Sequence, residues 1–289
     1  MVLTARPRGA TQGAAVLENV LPKISRFALL LVLLALPGTS HAQADRLSAG
    51  YAIEWQGLPI GAFETEVWNG EGSYRITYRA RTTGFLGWLW PFSSQGSSEG
   101  SLAATRPLPE YYEVTSRRRD ESERWAVRFG ADGRVVDVEI AAEELAEREP
   151  VPAGLQVAPD PLALALAAIV DAAPGAKLTG ASFDGKRVLQ LRGSCAEELV
   201  VLADVPPGAA AAAEREALAC TVDGDVIAGA SRRWQGRTMR DEDREPVAVW
   251  LGRGILENAF WPVRVEAQTR YGTVTVRLVN VGQAAAAAN

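Results

Sequence analysis

The chain has 289 residues, with 30 lysines and arginines against 35 aspartates and glutamates, and 47% of it is hydrophobic. That composition suits one large or two ordinary domains with a packed core rather than a disordered chain. Its two cysteines cannot build a four-thiolate zinc site or hold an iron–sulfur cluster, and its acidic balance argues against nucleic acid as a partner.

Residues 27–36 read Phe-Ala-Leu-Leu-Leu-Val-Leu-Leu-Ala-Leu, preceded by Lys23 and Arg26 and broken by Pro37-Gly38. Ser40-His41-Ala42 and Ala42-Gln43-Ala44 both present small residues at cleavage spacing. This is the pattern of a secretory signal peptide over residues 1–44. The apolar run is about half the ~20 residues that a spanning helix needs, so a retained anchor is the weaker reading. The processed chain is therefore expected in the periplasm, without an integral membrane span. Processing removes Arg6, Arg8, Lys23, Arg26 and Glu18, which takes the net charge from −5 to −8.

Processing also removes His41, the only histidine. Ser-His-Asp and Cys-His catalysis, histidine zinc sites and histidine-ligated haem are then unavailable. No Walker or dinucleotide glycine fingerprint is present. The expectation is a protein with no catalytic residues, no cofactor and no metal.

Two-residue alternation dominates the chain beyond residue 44. Ala52–Gln56 and Ala62–Trp68 flank a Gly-Leu-Pro-Ile-Gly corner, and Asn69-Gly70 marks a turn. The next strand puts Tyr74, Ile76, Tyr78 and Ala80 on one face and Arg75, Thr77, Arg79 and Arg81 on the other. The same period runs through Tyr112–Thr115, Trp125–Phe129, Val135–Ile140, Arg187–Leu191, Val247–Leu251, Trp261–Glu266 and Thr273–Leu278. Asp132-Gly133, Asp184-Gly185, Asp223-Gly224-Asp225 and Tyr271-Gly272 read as hairpin turns. The fold class predicted is all-β: an antiparallel meander forming a curved sheet, open barrel or barrel-like sandwich.

One segment departs from alternation. Asp160-Pro161 is a helix N-cap followed by proline at the first helical position. The residues from Leu162 to Ala173 are apolar nearly all round, with Leu162, Leu166, Ile169 and Val170 on one stripe. A helix without a polar face is expected to be buried, here about 160–173, against the concave face of the sheet as a plug or a lid. Residues 45–283 are predicted to form a single β-rich domain whose two halves are joined by a linker near 143–159. Residues 204–216 read as a long loop and 284–289 as a disordered tail.

Cys195 and Cys220 flank strands in the part destined for an oxidising compartment, and a disulfide between them is expected. The densest aromatic stretch is Phe85-Leu86-Gly87-Trp88-Leu89-Trp90-Pro91-Phe92. Its side chains Phe85, Leu86, Trp88, Leu89, Trp90 and Phe92 form either a buried sheet corner or an exposed lip for an amphiphile, a lipid or a partner. Asp241-Glu242-Asp243 with Glu245 lacks the spacing of a calcium loop and reads as solvated. Glu54, Glu64, Glu66 and Glu99 contain the residue type needed for carboxylate-based glycan cleavage, but alternation places most of them outside.

The order of these motifs is similar to the exported bacterial family catalogued as domain of unknown function 3108. The resemblance covers about residues 49–282. It is carried by Tyr51…Trp55 with Gly57 and Gly61, Pro107-Leu108-Pro109 before Tyr111-Tyr112, and Asp160-Pro161-Leu162. Phe183-Asp184-Gly185-Lys186-Arg187, Cys220-Thr221-Val222 before Ile227-Ala228-Gly229, and the closing Trp250-Leu251, Trp261–Val265 and Tyr271-Gly272 complete it. The resemblance implies a periplasmic all-β protein of Gram-negative type and supplies no catalytic residue. The leading expectation is non-catalytic binding of an apolar or amphiphilic, lipid-like envelope component in a cavity of the curved sheet. The alternatives are an envelope assembly or scaffold protein without ligand, acting on an envelope protein partner, and a carboxylate-based glycan hydrolase or lyase.

Overall fold

A computed structural model describes residues 45–70, 72–103, 106–202, 216–232, 245–256 and 259–283. The signal peptide expected over 1–44, most of the loop expected at 204–216, the acidic cluster Asp241–Asp243 and the tail expected at 284–289 lie outside the described residues.

The chain builds one antiparallel sheet of thirteen strands. The first arm is β1 (Asp45–Trp55), β2 (Leu58–Gly70), β3 (Ser73–Thr82), β4 (Phe92–Ala103), β5 (Arg106–Arg118), β6 (Glu121–Phe129) and β7 (Val135–Glu139). The second is β8 (Lys177–Phe183), β9 (Val188–Val200), β10 (Ala217–Ala228), β11 (Val247–Leu256), β12 (Ala259–Thr269) and β13 (Gly272–Gln283). Each arm is a meander. They join where the first strand pairs with the last, Leu47 opposite Gln283 through Trp55 opposite Val274. The sheet order thus runs from β7 inward to β1, across to β13, and outward to β8. The sheet is curved and is not closed into a barrel by pairing of its edge strands β7 and β8.

Alternation explains which face is inside. Tyr74 and Ile76 are buried while Arg75 and Arg79 are exposed, as the period of two requires. The main core joins Leu47, Tyr51, Ile76, Trp261, Val263 and Leu278 across the centre of the sheet. A second cluster packs Phe183 and Val188 of the second arm on Tyr112, Val114, Val127 and Phe129 of the first. The two ends of the sheet therefore meet through side chains rather than through a ladder.

Among the described residues three short α-helices punctuate the sheet: α1 (Gly84–Leu89), α2 (Ala142–Ala146) and α3 (Pro161–Val170). The expected linker is structured. After α2 and a 3-10 turn at Ala153–Leu155, it bonds Gln156 O to Val135 N at 3.2 Å, and Pro159 O to Phe183 N at 3.0 Å. It also bonds Glu149 N to Ala230 O at 2.9 Å. Backbone groups beside both edge strands are thereby covered, which protects them from pairing with another chain.

Another expectation is corrected. Asp223-Gly224-Asp225 is not a hairpin turn; it lies inside β10, paired with Arg192, Leu191 and Gln190 of β9. The β10–β11 ladder runs only from Ala217 to Val222, so β10 continues past it along β9 alone. A local turn propensity is overruled there by the neighbouring strand. Ala44–Asn289 form one compact unit.

Candidate functional site

The aromatic stretch forms α1 in the connection from β3 to β4. Gly87 N bonds Thr83 O at 3.0 Å, and Trp90 N closes on Leu86 O at 2.7 Å. The Thr82 hydroxyl donates to Trp90 O at 3.1 Å and accepts from Phe92 N at 3.0 Å, which fastens both ends of the connection. At Gly87 a β-carbon would stand 3.0 Å from Thr82 O, so the glycine lets the helix lie close to the strand. The helix has no buried residue. Phe85 is 73% and Trp88 78% exposed, and Leu89 and Trp90 are about half exposed, whereas Leu86 and Phe92 are half-buried. The stretch is thus an exposed lip with two anchoring side chains, not a buried corner. Burying a residue of this size is worth about 1.5–3 kcal/mol, and these four forgo much of that gain.

The lip belongs to a wider rim that the sequence did not reveal. Antiparallel order brings the β1–β2, β3–β4, β5–β6 and β12–β13 connections to one end of the sheet. The Trp55 indole donates to Tyr271 O at 2.9 Å, and Gln56 Nε2 donates to the same oxygen. Thr83 N bonds Ile60 O, and Arg119 N bonds Pro91 O. Trp55, Leu58 and Tyr271 are exposed beside the lip. The Arg119 guanidinium lies 4.7 Å from the Trp90 ring centre, and that of Arg270 lies 4.6 Å from Tyr271. Trp55 and Tyr271 read in sequence as a strand residue and a turn residue; only the shared end of the sheet unites them.

The helix α3 packs on β4, β5, β8 and β12 on the concave face. Leu162, Leu166 and Ile169 are partly buried against the main core, and Ala163 is fully buried. Val170 is corrected: it is 40% exposed at the end of the helix, which stops at Val170 rather than near Ala173. Ala165 is exposed as well, so one side of this apolar helix stays open.

The N-cap Asp160 is fully buried. Its Oδ1 accepts from Leu162 N at 2.9 Å and Ala163 N at 3.1 Å, the ordinary capping bonds. Its Oδ2 accepts from the Ser98 hydroxyl on β4, which lies 3.0 Å from the Tyr74 hydroxyl on β3. Burial pushes the Asp160 carboxyl up to about 6 despite these hydrogen bonds. Burial, reinforced by the charge of Asp160, raises the Tyr74 phenol as well.

A second polar cluster fastens the two ends of the sheet. Asp184 accepts from Lys186 N and Arg187 N, and Gly185 turns at φ 91°. The turn buries Lys186, whose Nζ lies 3.8 Å from the Trp125 ring centre and 3.2 Å from both Glu123 and Glu144. Arg148 shares Glu144 at 2.9 Å. Burial raises the Glu144 carboxyl, but hydrogen bonds from Arg148 and Lys186 outweigh it and the net shift is downward. The sequence placed Lys186 in a hairpin and did not identify its partners.

Cys195 and Cys220 are disulfide-bonded and stand opposite each other on β9 and β10. Both are buried with Leu178, Leu218, Leu251 and Phe260. The carboxylates considered for glycan cleavage are engaged otherwise. Glu54 pairs with Arg277 at 3.0 Å, Glu66 with Arg46 at 2.7 Å, and Glu99 with Arg75. Glu66 and Glu99 line one open depression of about 710 Å³ together with both arginines, and Glu64 is exposed on β2. The arrangement is an ion-pair ladder across the outer face. Among the described residues no group of three or more potential metal ligands comes together.

A family model described as "Protein of unknown function (DUF3108)" matches residues 50–279. Among solved structures, the chain is similar to the crystal structure of a beta-barrel-like protein of domain of unknown function DUF1849 from Brucella abortus. The identity is 12% and the TM-score 0.45, over 84% of this chain and 98% of that one. No curated protein matches the chain.

Proposed function

The chain belongs to the DUF3108 family of proteins of unknown function, and from that premise we propose a non-catalytic, exported protein that binds an apolar or amphiphilic component of the cell envelope. The observation that carries this reading is the exposure of Phe85, Trp88 and Leu89, with Trp90 at its C-cap, together on a helix with nothing buried of its own. Contiguous apolar surface of this kind marks an interaction site more often than a free surface. Export is supported by the signal-peptide pattern of residues 1–44 and by the Cys195–Cys220 bond, which persists in oxidising compartments. No helix among the described residues is long and apolar enough to cross a membrane. A surface on the rim, rather than the cavity expected from the sequence, is supported by the packing of α3 on the concave face through Leu162, Leu166 and Ile169.

That same occupancy favours a second reading, an envelope scaffold without ligand. Mass spectrometry of small molecules and lipids that co-purify from the native periplasm separates the two. An amphiphile enriched with the natural protein and depleted in Phe85→Ser/Trp88→Ser is the expected result. A protein that carries nothing supports the scaffold, and a variant loaded like the natural protein removes the lip from the binding site.

A further inference from the structure

We propose that the rim seats on the surface of a bilayer that carries anionic lipids, with Phe85, Trp88 and Leu89 entering the interface and a set of arginines facing the lipid phosphates. This rests on the amphiphile-binding reading of the same lip and names the source of the amphiphile: lipid still in its membrane.

Charge sets this end of the sheet apart. Over most of the sheet, arginines are matched by carboxylates: Arg46 with Glu66, Arg124 with Glu113, Arg264 with Glu266, Arg277 with Glu54. The aromatic end is different. Arg81 lies in the last two residues of β3, Arg117, Arg118 and Arg119 lie at the β5–β6 turn, and Arg270 lies at the β12–β13 turn, all five exposed. Among the described residues none of the five forms an ion pair; Asp120 and Glu121 lie at those turns, and Arg118 alone of the five lines a depression with Glu123, Glu144 and Glu147. In a chain of net charge −5, the described turns around the exposed aromatic side chains are thus locally basic.

The combination suits one environment. Tryptophan and phenylalanine settle at the boundary between headgroups and acyl chains. Arginine lays its stem along apolar surface and holds its head at the phosphates. The guanidiniums over Trp90 and Tyr271 already take that posture beside the rings. Exposed basic residues near an anionic surface add attraction that decays within a Debye length.

The test uses residues 44–289, the compact unit, so that the apolar run 27–36 is absent. Sedimentation with vesicles of equal parts phosphatidylglycerol and phosphatidylcholine should carry the protein down. Vesicles of phosphatidylcholine alone should carry much less, and added salt should release it. Arg119→Glu/Arg270→Glu should weaken binding by roughly thirtyfold or more. Arg106→Glu/Arg134→Glu, the same change of charge at the opposite end, should leave it unchanged. All four side chains are exposed, and circular dichroism confirms that each variant is folded. Equal loss in both variants, or equal binding to both vesicles, overturns the proposal. Titration with monomeric lysophosphatidylglycerol, followed by tryptophan emission, tells the two readings apart. Saturable binding without vesicle binding overturns the docking and leaves the amphiphile reading standing; the absence of both overturns both.

Discussion

The Ser98 hydroxyl donates to Asp160 Oδ2 at 2.7 Å, with both residues fully buried, so the cap of helix α3 is bonded to the middle of strand β4. Since Ser98 spends its proton on Asp160, the Tyr74 hydroxyl must donate to Ser98. A three-residue chain of hydrogen bonds therefore orients α3 against β3 and β4.

This chain sets a pH dependence. The folded state holds the Asp160 proton up to about pH 6, while the unfolded chain releases it near its ordinary value. Between about pH 4 and 6 the folded state binds more protons, so this group's contribution to stability falls as pH rises through that window and is level above it. The loss is about 3 kcal/mol. In urea unfolding at a series of pH values, the difference between the natural protein and Asp160→Asn, which can still cap the helix, should change by about that amount over the window. A constant difference would show that Asp160 titrates normally.

Leu166→Asp and Val170→Asp should part company. Leu166 packs against the central core, so a carboxylate there is expected to cost at least 2–3 kcal/mol and to unfold the protein or lower its midpoint strongly. Val170 is exposed enough to take the same substitution within about 0.5 kcal/mol. If Leu166→Asp stays folded by circular dichroism and loses a bound amphiphile, α3 is a lid rather than a plug. Unchanged stability and unchanged ligand content would refute its burial.

Removal of the disulfide by Cys195→Ala/Cys220→Ala should lower stability by about 3–4 kcal/mol, from the loop of sequence separation 25 that it closes. Denaturant unfolding under non-reducing conditions measures this. Thiol labelling of the unfolded, unreduced natural protein should find no free thiol.

Lys186→Met keeps the stem over Trp125 but leaves Glu123 and Glu144 without its charge. Glu144 retains Arg148, so the expected loss is about 1–3 kcal/mol. A loss no greater than that of an exposed arginine such as Arg192 would show that the cluster does not fasten the two ends of the sheet.

The sequence by itself determined most of the strands, their faces and the helix α3, but not β4 or β8, where serine and glycine blur the alternation. Tyr74 and Ile76 alternate with Arg75 and Arg79, and Asp160-Pro161 starts a helix wherever it is placed, because these signals act over two to four residues. The sequence leaves the exposure of Phe85 and Trp88 open, since an aromatic run serves a core or a surface equally well until its neighbours are known. Only the tertiary structure decided that β1 pairs with β13, that Asp223–Asp225 runs on as strand, and that Ser98 meets Asp160. It alone gathered Trp55, Trp88, Tyr271 and the unmatched arginines at one end. Each of these depends on the curvature of the sheet and on which strands become neighbours, and those are settled by burial summed over the whole chain, for which no local period carries a signal.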